Sequence, residues 1–222
     1  MADVEVYLEI GSKRVFACAI DWPGLCRSGR DEAAAIESIV EHAARYRTAM
    51  SSARMRPLPP AAPTFRVVEK LRGDATTDFG APSKPARLDR RTFDGKEALR
   101  LMSILEASWA AFDLAARVVG RRRLATGPRG GGRQVDAMRE HVLSAERAYL
   151  SRIGGSFKPA KGSLMTGKLY GVRGAVISTL NARASGEPAP HSRGKTWPLR
   201  YHVRRSAWHV LDHAWEIEDR LG

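Results

Sequence analysis

Two kinds of hydrophobic spacing divide the chain. In the first part apolar and polar positions alternate: Val4-Glu-Val-Tyr-Leu-Glu-Ile10 has the period of a half-buried strand. Arg14-Val-Phe-Ala-Cys-Ala-Ile20 returns as a second strand, with Gly11-Ser12-Lys13 as the hairpin turn. Asp21-Trp22-Pro23-Gly24-Leu25 interrupts regular structure, and Pro23-Gly24 suits the centre of a type II turn. Ser28-Gly29-Arg30-Asp31 then leads into a helix with Ala33, Ile36, Ile39, Val40, Ala43, Ala44 and Tyr46 on its apolar face, ended by Pro57. After a proline-rich stretch, Thr64 to Leu71 is expected to add a third strand to the same sheet.

Residues 73–93 are rich in Gly, Pro, Thr, Asp and basic residues without periodicity and read as an interdomain linker. Beyond it the spacing becomes helical. Asp94-Gly-Lys-Glu97 is a capping-box pattern, and Ala98, Leu101, Met102, Leu105, Trp109, Phe112, Ala116 and Val119 form a stripe that Gly120 stops. The loop from Arg121 to Arg133 is glycine-rich, but no strand precedes it and no Lys-Ser/Thr closes it, so it reads as a flexible connection rather than a phosphate cradle. A second helix runs from about Gln134 through Met138, Val142, Tyr149 and Leu150 to Ile153, where Gly154-Gly155 ends it. A third starts near Ser163 and carries Gly167, Gly171 and Gly174. Interior glycines cost about 1 kcal/mol each relative to Ala, so this face is expected to press against another helix or to leave room for a ligand, close packing being the preferred reading. The fourth follows the polar stretch around Ser185 to Pro190, with Thr196 as cap and Pro198 in its first turn. The expected architecture is therefore two domains: a small α+β domain (ββαβ) over 1–72, a linker over 73–93, and an all-α four-helix bundle over 94–222.

Composition fits this picture. A length of 222 residues with 43% hydrophobic and 27% charged residues can bury a sizeable core, and no apolar run approaches the roughly 18 residues of a membrane span. The segment Met1-Ala-Asp-Val-Glu-Val6 is acidic where a secretory signal is basic, so a cytoplasmic protein is expected. Cys18 and Cys26 have no zinc or redox spacing, and two reduced thiols are the expectation. Net charge is +13 and uneven: residues 1–90 hold 14 Lys and Arg against 12 Asp and Glu, net +2, and the rest hold 23 against 12, net +11. Such a surface draws anions, but no aromatic-basic interleaving or recognition motif accompanies it, so nucleic acid is not an expected partner.

The stretch Ala17-Cys-Ala-Ile-Asp-Trp-Pro-Gly24-Leu-Cys-Arg-Ser-Gly29-Arg-Asp-Glu-Ala33-Ala-Ala-Ile36 resembles HicB-type antitoxin domains, in which a strand runs into a Pro-Gly turn, then a Gly, then an acidic helix start. The resemblance covers about the first 70 residues and implies a module that binds a protein partner or self-associates as a homodimer. It brings no catalytic residues, and no ribbon-helix-helix or helix-turn-helix segment follows here.

The chemistry-bearing residues lie near the end of the chain. On the last helix Val203, Ala207, Val210, Ala214, Ile217 and Leu221 mark the buried stripe, and His202, His209, His213 and Glu216 lie along its edge. His209 and His213, four residues apart, share one face and can reach one divalent ion. His202 lies roughly 10.5 Å earlier along the axis at 1.5 Å per residue. A third ligand must come from elsewhere. His141, just ahead of Val142 on the second helix, is the best candidate, since His42 belongs to the first domain and His191 to a loop. The alternative leaves the imidazoles structural, bonded to Asp212 or Glu216.

Arg139-Glu140-His141-Val-Leu-Ser-Ala-Glu146-Arg-Ala-Tyr149-Leu, followed by Trp208-His209-Val-Leu-Asp-His213-Ala-Trp-Glu-Ile-Glu, is similar to the DinB-like four-helix bundle family over about residues 92–222. The resemblance implies metal roles for His141, His209 and His213, a divalent metal of which zinc or nickel suits an all-nitrogen site, and transferase or isomerase chemistry with a low-molecular-weight thiol such as mycothiol, bacillithiol or glutathione. Arg139, Arg205 or Arg220 would then hold the carboxylates of a small anionic or thiol ligand. No catalytic residue beyond the metal ligands is identifiable. The competing expectation is a non-enzymatic interaction module.

Overall fold

The computed structural model describes residues 4–52, 63–127, 132–188 and 196–221. The N-terminal part is a mixed four-stranded sheet in the order β3-β2-β1-β4. Strands β1 (Val4–Ile10) and β2 (Val15–Ala19) form the expected hairpin, with Val6 opposite Ala19 and Leu8 opposite Ala17. A Trp22–Leu25 turn follows, closed by the Leu25 amide on the Trp22 carbonyl at 3.0 Å, with Gly24 at φ +94° as a type II turn requires. One strand is additional to the expected ββαβ order: β3 (Cys26–Gly29), too short and polar to show alternation, pairs antiparallel with β2. That register sets Cys26 directly opposite Cys18, and the two are joined in a disulfide, where free thiols were expected.

Helix α1 (Glu32–Ala49) starts at Asp31, whose carboxylate accepts from the Ala34 amide at 2.8 Å. It buries Ala35, Ile39, Ala43 and Tyr46, whereas Val40 remains 41% exposed. A 3-10 turn follows at Met50–Ser52; Pro57 lies outside the described residues. Strand β4 (Phe65–Arg72) then pairs parallel with β1, with a bulge between Val6 and Tyr7.

The stretch 73–93 is folded against the sheet. Helix α2 (Ala75–Phe79) is capped by Asp74, and its Thr77 reaches the fully buried Glu9 of β1. Glu9 also accepts from the Ser83 and Lys84 amides at 2.8 and 2.9 Å. A 3-10 turn at Arg87–Arg90 delivers Asp89, 2% exposed, to Arg204.

Among the described residues four long helices follow: α3 (Gly95–Val119), α4 (Val135–Ser151), α5 (Met165–Ala184) and α6 (Leu199–Leu221). Helices α3 and α6 run the same way, since Glu97 pairs with Arg200 at one end and the Ala125 amide meets the Arg220 carbonyl at the other. Both α4 and α5 run opposite to α3, because Arg139 reaches Ala116 while Glu146 and Arg173 sit beside each other and beside Asp113. Residues 152–164 therefore double back along the bundle, passing Phe157 over Gly171. One buried apolar cluster runs through the junction, from Val6, Leu8 and Ile39 to Leu105, Phe112, Val142 and Val210. At that junction Gly24 backs onto Leu211, which a Cβ would approach to 2.5 Å. Among the described residues no helix is long and apolar enough to cross a membrane.

The glycine face of α5 is only partly packed. A Cβ at Gly171 would come 2.5 Å from the Phe157 ring, but Gly167 and Gly174 have nothing within 4 Å. Gly167→Ala and Gly174→Ala are each expected to stabilise by about 0.5–1 kcal/mol in urea denaturation, and Gly171→Ala to give no such gain. Asp89→Ala, which leaves the enclosed Arg204 guanidinium without its counter-ion, should cost about 3–5 kcal/mol in the same measurement.

Candidate metal centre

Helices α4 and α6 are antiparallel neighbours, so the middle of α4 faces the C-terminal half of α6 and His141 meets His209 and His213. One ligand nitrogen from each ring lies within 4.8 Å of the other two. His209 Nε2 and His141 Nε2 are 3.1 Å apart. Nitrogens held at about 2.0–2.1 Å by one tetrahedral ion are separated by roughly 3.3 Å, so the pair is already near ligating distance. Two ring nitrogens this close share either a proton or a cation between their lone pairs.

The surroundings disfavour the charged form of His141 and His209. Burial, then the neighbouring His213 and Arg133, lowers the His141 pKa. His209, 7% exposed, is held well below the ordinary histidine value by burial, followed by His213 and Arg205. Glu216 accepts from His213 Nδ1 at 3.0 Å, which leaves Nε2 as that ring's available nitrogen. Arg220 steadies Glu216 at 2.7 Å, and the bonds to His213 and Arg220 keep that carboxyl below its usual pKa. A carboxylate behind an imidazole fixes its tautomer and orientation, as metal sites commonly require. These residues fit a divalent cation by donor type and spacing.

The other histidines lie elsewhere. His42 bonds the Ser38 carbonyl at 2.8 Å and packs on Trp215. His202 is wholly enclosed beside Trp197, and His191 lies outside the described residues. Asp212, one of the two carboxylates considered as an imidazole partner, pairs instead with Arg27 at 3.0 Å.

The triad opens on a cleft of about 750 Å³ whose lining comes from both parts of the chain: Arg14, Phe16 and Arg27 from the sheet region, Tyr149, Arg205 and Trp208 from the bundle. Of the three arginines considered from sequence, Arg205 lines it. Arg139 turns to Asp136 and Ala116, and Arg220 stands behind Glu216. Sequence reading missed Arg14 and Arg27, which more than a hundred residues separate from the nearest triad member; their part is set by the docking of β2 and β3 on α6. Nothing among protein-family models, curated proteins or solved structures matched this chain.

His202 supplies a pH test outside the triad. Burial pushes its pKa down to about 4, with partial relief from the Tyr149 carbonyl. A ring that is neutral when folded and ordinary when unfolded stabilises the fold above about pH 6.5 and loses that contribution as pH falls toward 4. Unfolding free energy should therefore drop by on the order of 3 kcal/mol from this residue between pH 7.5 and 4. In His202→Gln the slope of stability against pH should be shallower by about one proton; an unchanged slope rejects the assignment.

Proposed function

We propose that this chain is a DinB-like protein that holds a divalent ion, zinc or nickel, on His141, His209 and His213 and uses the adjoining cleft for thiol-dependent transferase or isomerase chemistry. The observation that carries this reading is the convergence of three imidazoles, from two helices, within 4.8 Å in the lining of a cleft. Three nitrogen ligands leave a coordination position for substrate. An ion held there supplies Lewis acidity, which lowers the pKa of a bound thiol so that it reacts as thiolate at neutral pH. The chain's own residues orient and exclude. Glu216 fixes the His213 ring, Trp208 and Tyr149 keep water from one side of His209, and Arg205, stacked 4.6 Å over Trp208, presents positive charge to an acidic ligand.

A second reading, a non-enzymatic interaction module that docks a protein partner or a second copy, draws on β4. This edge strand has no strand partner on its outer side among the described residues.

Metal uptake separates the two. Protein stripped with chelator and dialysed against zinc at pH 7.5 should retain about one equivalent by elemental analysis, and the His209→Ala/His213→Ala double variant should retain almost none. In the cobalt(II)-loaded form, glutathione should add a thiolate-to-metal absorption band that S-methylglutathione does not. Absence of bound zinc in the folded wild type overturns the metal reading; bound cobalt without the band overturns the thiol chemistry.

A further inference from the structure

The charge around the cleft is unbalanced. Arg14, Arg27, Arg133 and Arg205 line it, against Asp212 and Glu216. Both carboxylates are already engaged, Asp212 by Arg27 and Glu216 by His213 and Arg220. Among the described residues the Arg14 guanidinium donates to the Ser28 hydroxyl alone, at 3.2 Å, and Arg205 lies over the rings of Trp208 and Tyr149. Of the guanidinium nitrogens on residues lining the cleft, Arg27 Nε and Arg205 Nη1 are buried with no acceptor among the described residues, one contributed by the sheet and one by α6. A buried N–H of a charged group left without an acceptor is costly, and an anionic oxygen is its strongest complement. A divalent ion on the three imidazoles would add further positive charge to the same walls.

We propose that the cleft is an acid-binding site shared between the sheet and the bundle. Arg14 and Arg27 from the sheet and Arg205 from α6 receive a carboxylate or phosphate group of the substrate, whose reacting end lies at the three histidines. This rests on the triad being the reactive end, but the anion subsite itself needs no metal. The N-terminal sheet is then a wall of the site that selects acidic substrates, and the planar forks of its arginines suit two-oxygen recognition.

Calorimetric titration of metal-free protein at low ionic strength, with succinate in one series and inorganic phosphate in another, tests this. One-to-one saturable binding of either probe is expected, succinate marking a carboxylate substrate and phosphate a phosphorylated one. Arg205→Gln and Arg14→Gln should each weaken it about tenfold or more, as loss of a charge-assisted hydrogen bond implies. Arg14→Gln carries the test if Arg205→Gln does not fold, since among the described residues the Arg14 side chain donates to Ser28 alone. Lys96→Gln, at the opposite end of the bundle, should bind like the wild type. Absence of saturable binding, or equal weakening by Lys96→Gln, overturns the proposal. Zinc uptake without anion binding strikes this inference alone, and anion binding without zinc uptake strikes the metal reading alone.

Discussion

The enclosed guanidinium of Arg204 ties the molecule together. It pairs with Asp89 on both carboxylate oxygens, donates to the Tyr7 hydroxyl at 2.8 Å, and lies 4.7 Å over the Tyr7 ring. Burial alone would favour its neutral form, but Tyr7 and Asp89 more than reverse that and hold it charged. The same enclosure pushes the Tyr7 hydroxyl up to about 12, so it stays a neutral hydrogen-bond partner at physiological pH. Three separate pieces of chain, β1, the 3-10 turn before α3, and α6, are thereby fixed to one point. An ion pair of this kind contributes little net energy against an apolar substitute, yet it is costly to break from one side and admits few alternative arrangements.

Because α6 is the helix so fixed, the site inherits its placement from both parts of the fold. One edge of α6 gives His209 and His213 to α4, and the sheet meets the helix close by, through Leu211 on Gly24 and Trp208 on Phe16 at 6.1 Å. The cleft is lined by Phe16 and Arg27 on the sheet side and by His141, Tyr149 and His209 on the bundle side. Its electrostatics follow from that assembly. The bundle contributes the nitrogen donors and Arg205, the sheet contributes arginines, and of the two lining carboxylates Asp212 pairs with Arg27 while Glu216 positions His213.

Much of this was legible in spacing. The bundle helices follow apolar stripes with period 3.6, and the capping pattern at Asp94 corresponds to a cap in which its carboxylate accepts from the Glu97 amide at 2.9 Å. The His209–His213 pair follows from helical geometry, and His141 from its place beside Val142 on a facing helix. Other features left no periodic trace. Strand β3 is four residues long, and the stretch 73–93 is held by buried Glu9 and Asp89, each accepting backbone or side-chain donors distant from it or irregularly spaced. The α5 glycines misled for a related reason: spacing shows which residues share a face, not what that face meets.

Local order and donor chemistry were thus written in the sequence itself: strands, helices, a +13 charge concentrated in the later residues, and two imidazoles on one helical face. Tertiary structure decided the rest. It decided that His141 would come within 3.1 Å of His209, that Cys18 would face Cys26, and that sheet arginines would line a cleft together with bundle histidines. The physical reason is range. Periodicity and capping act within a few residues of chain, whereas the ion pair at Arg204 and the closeness of His141 to His209 arise only when apolar burial brings distant segments together.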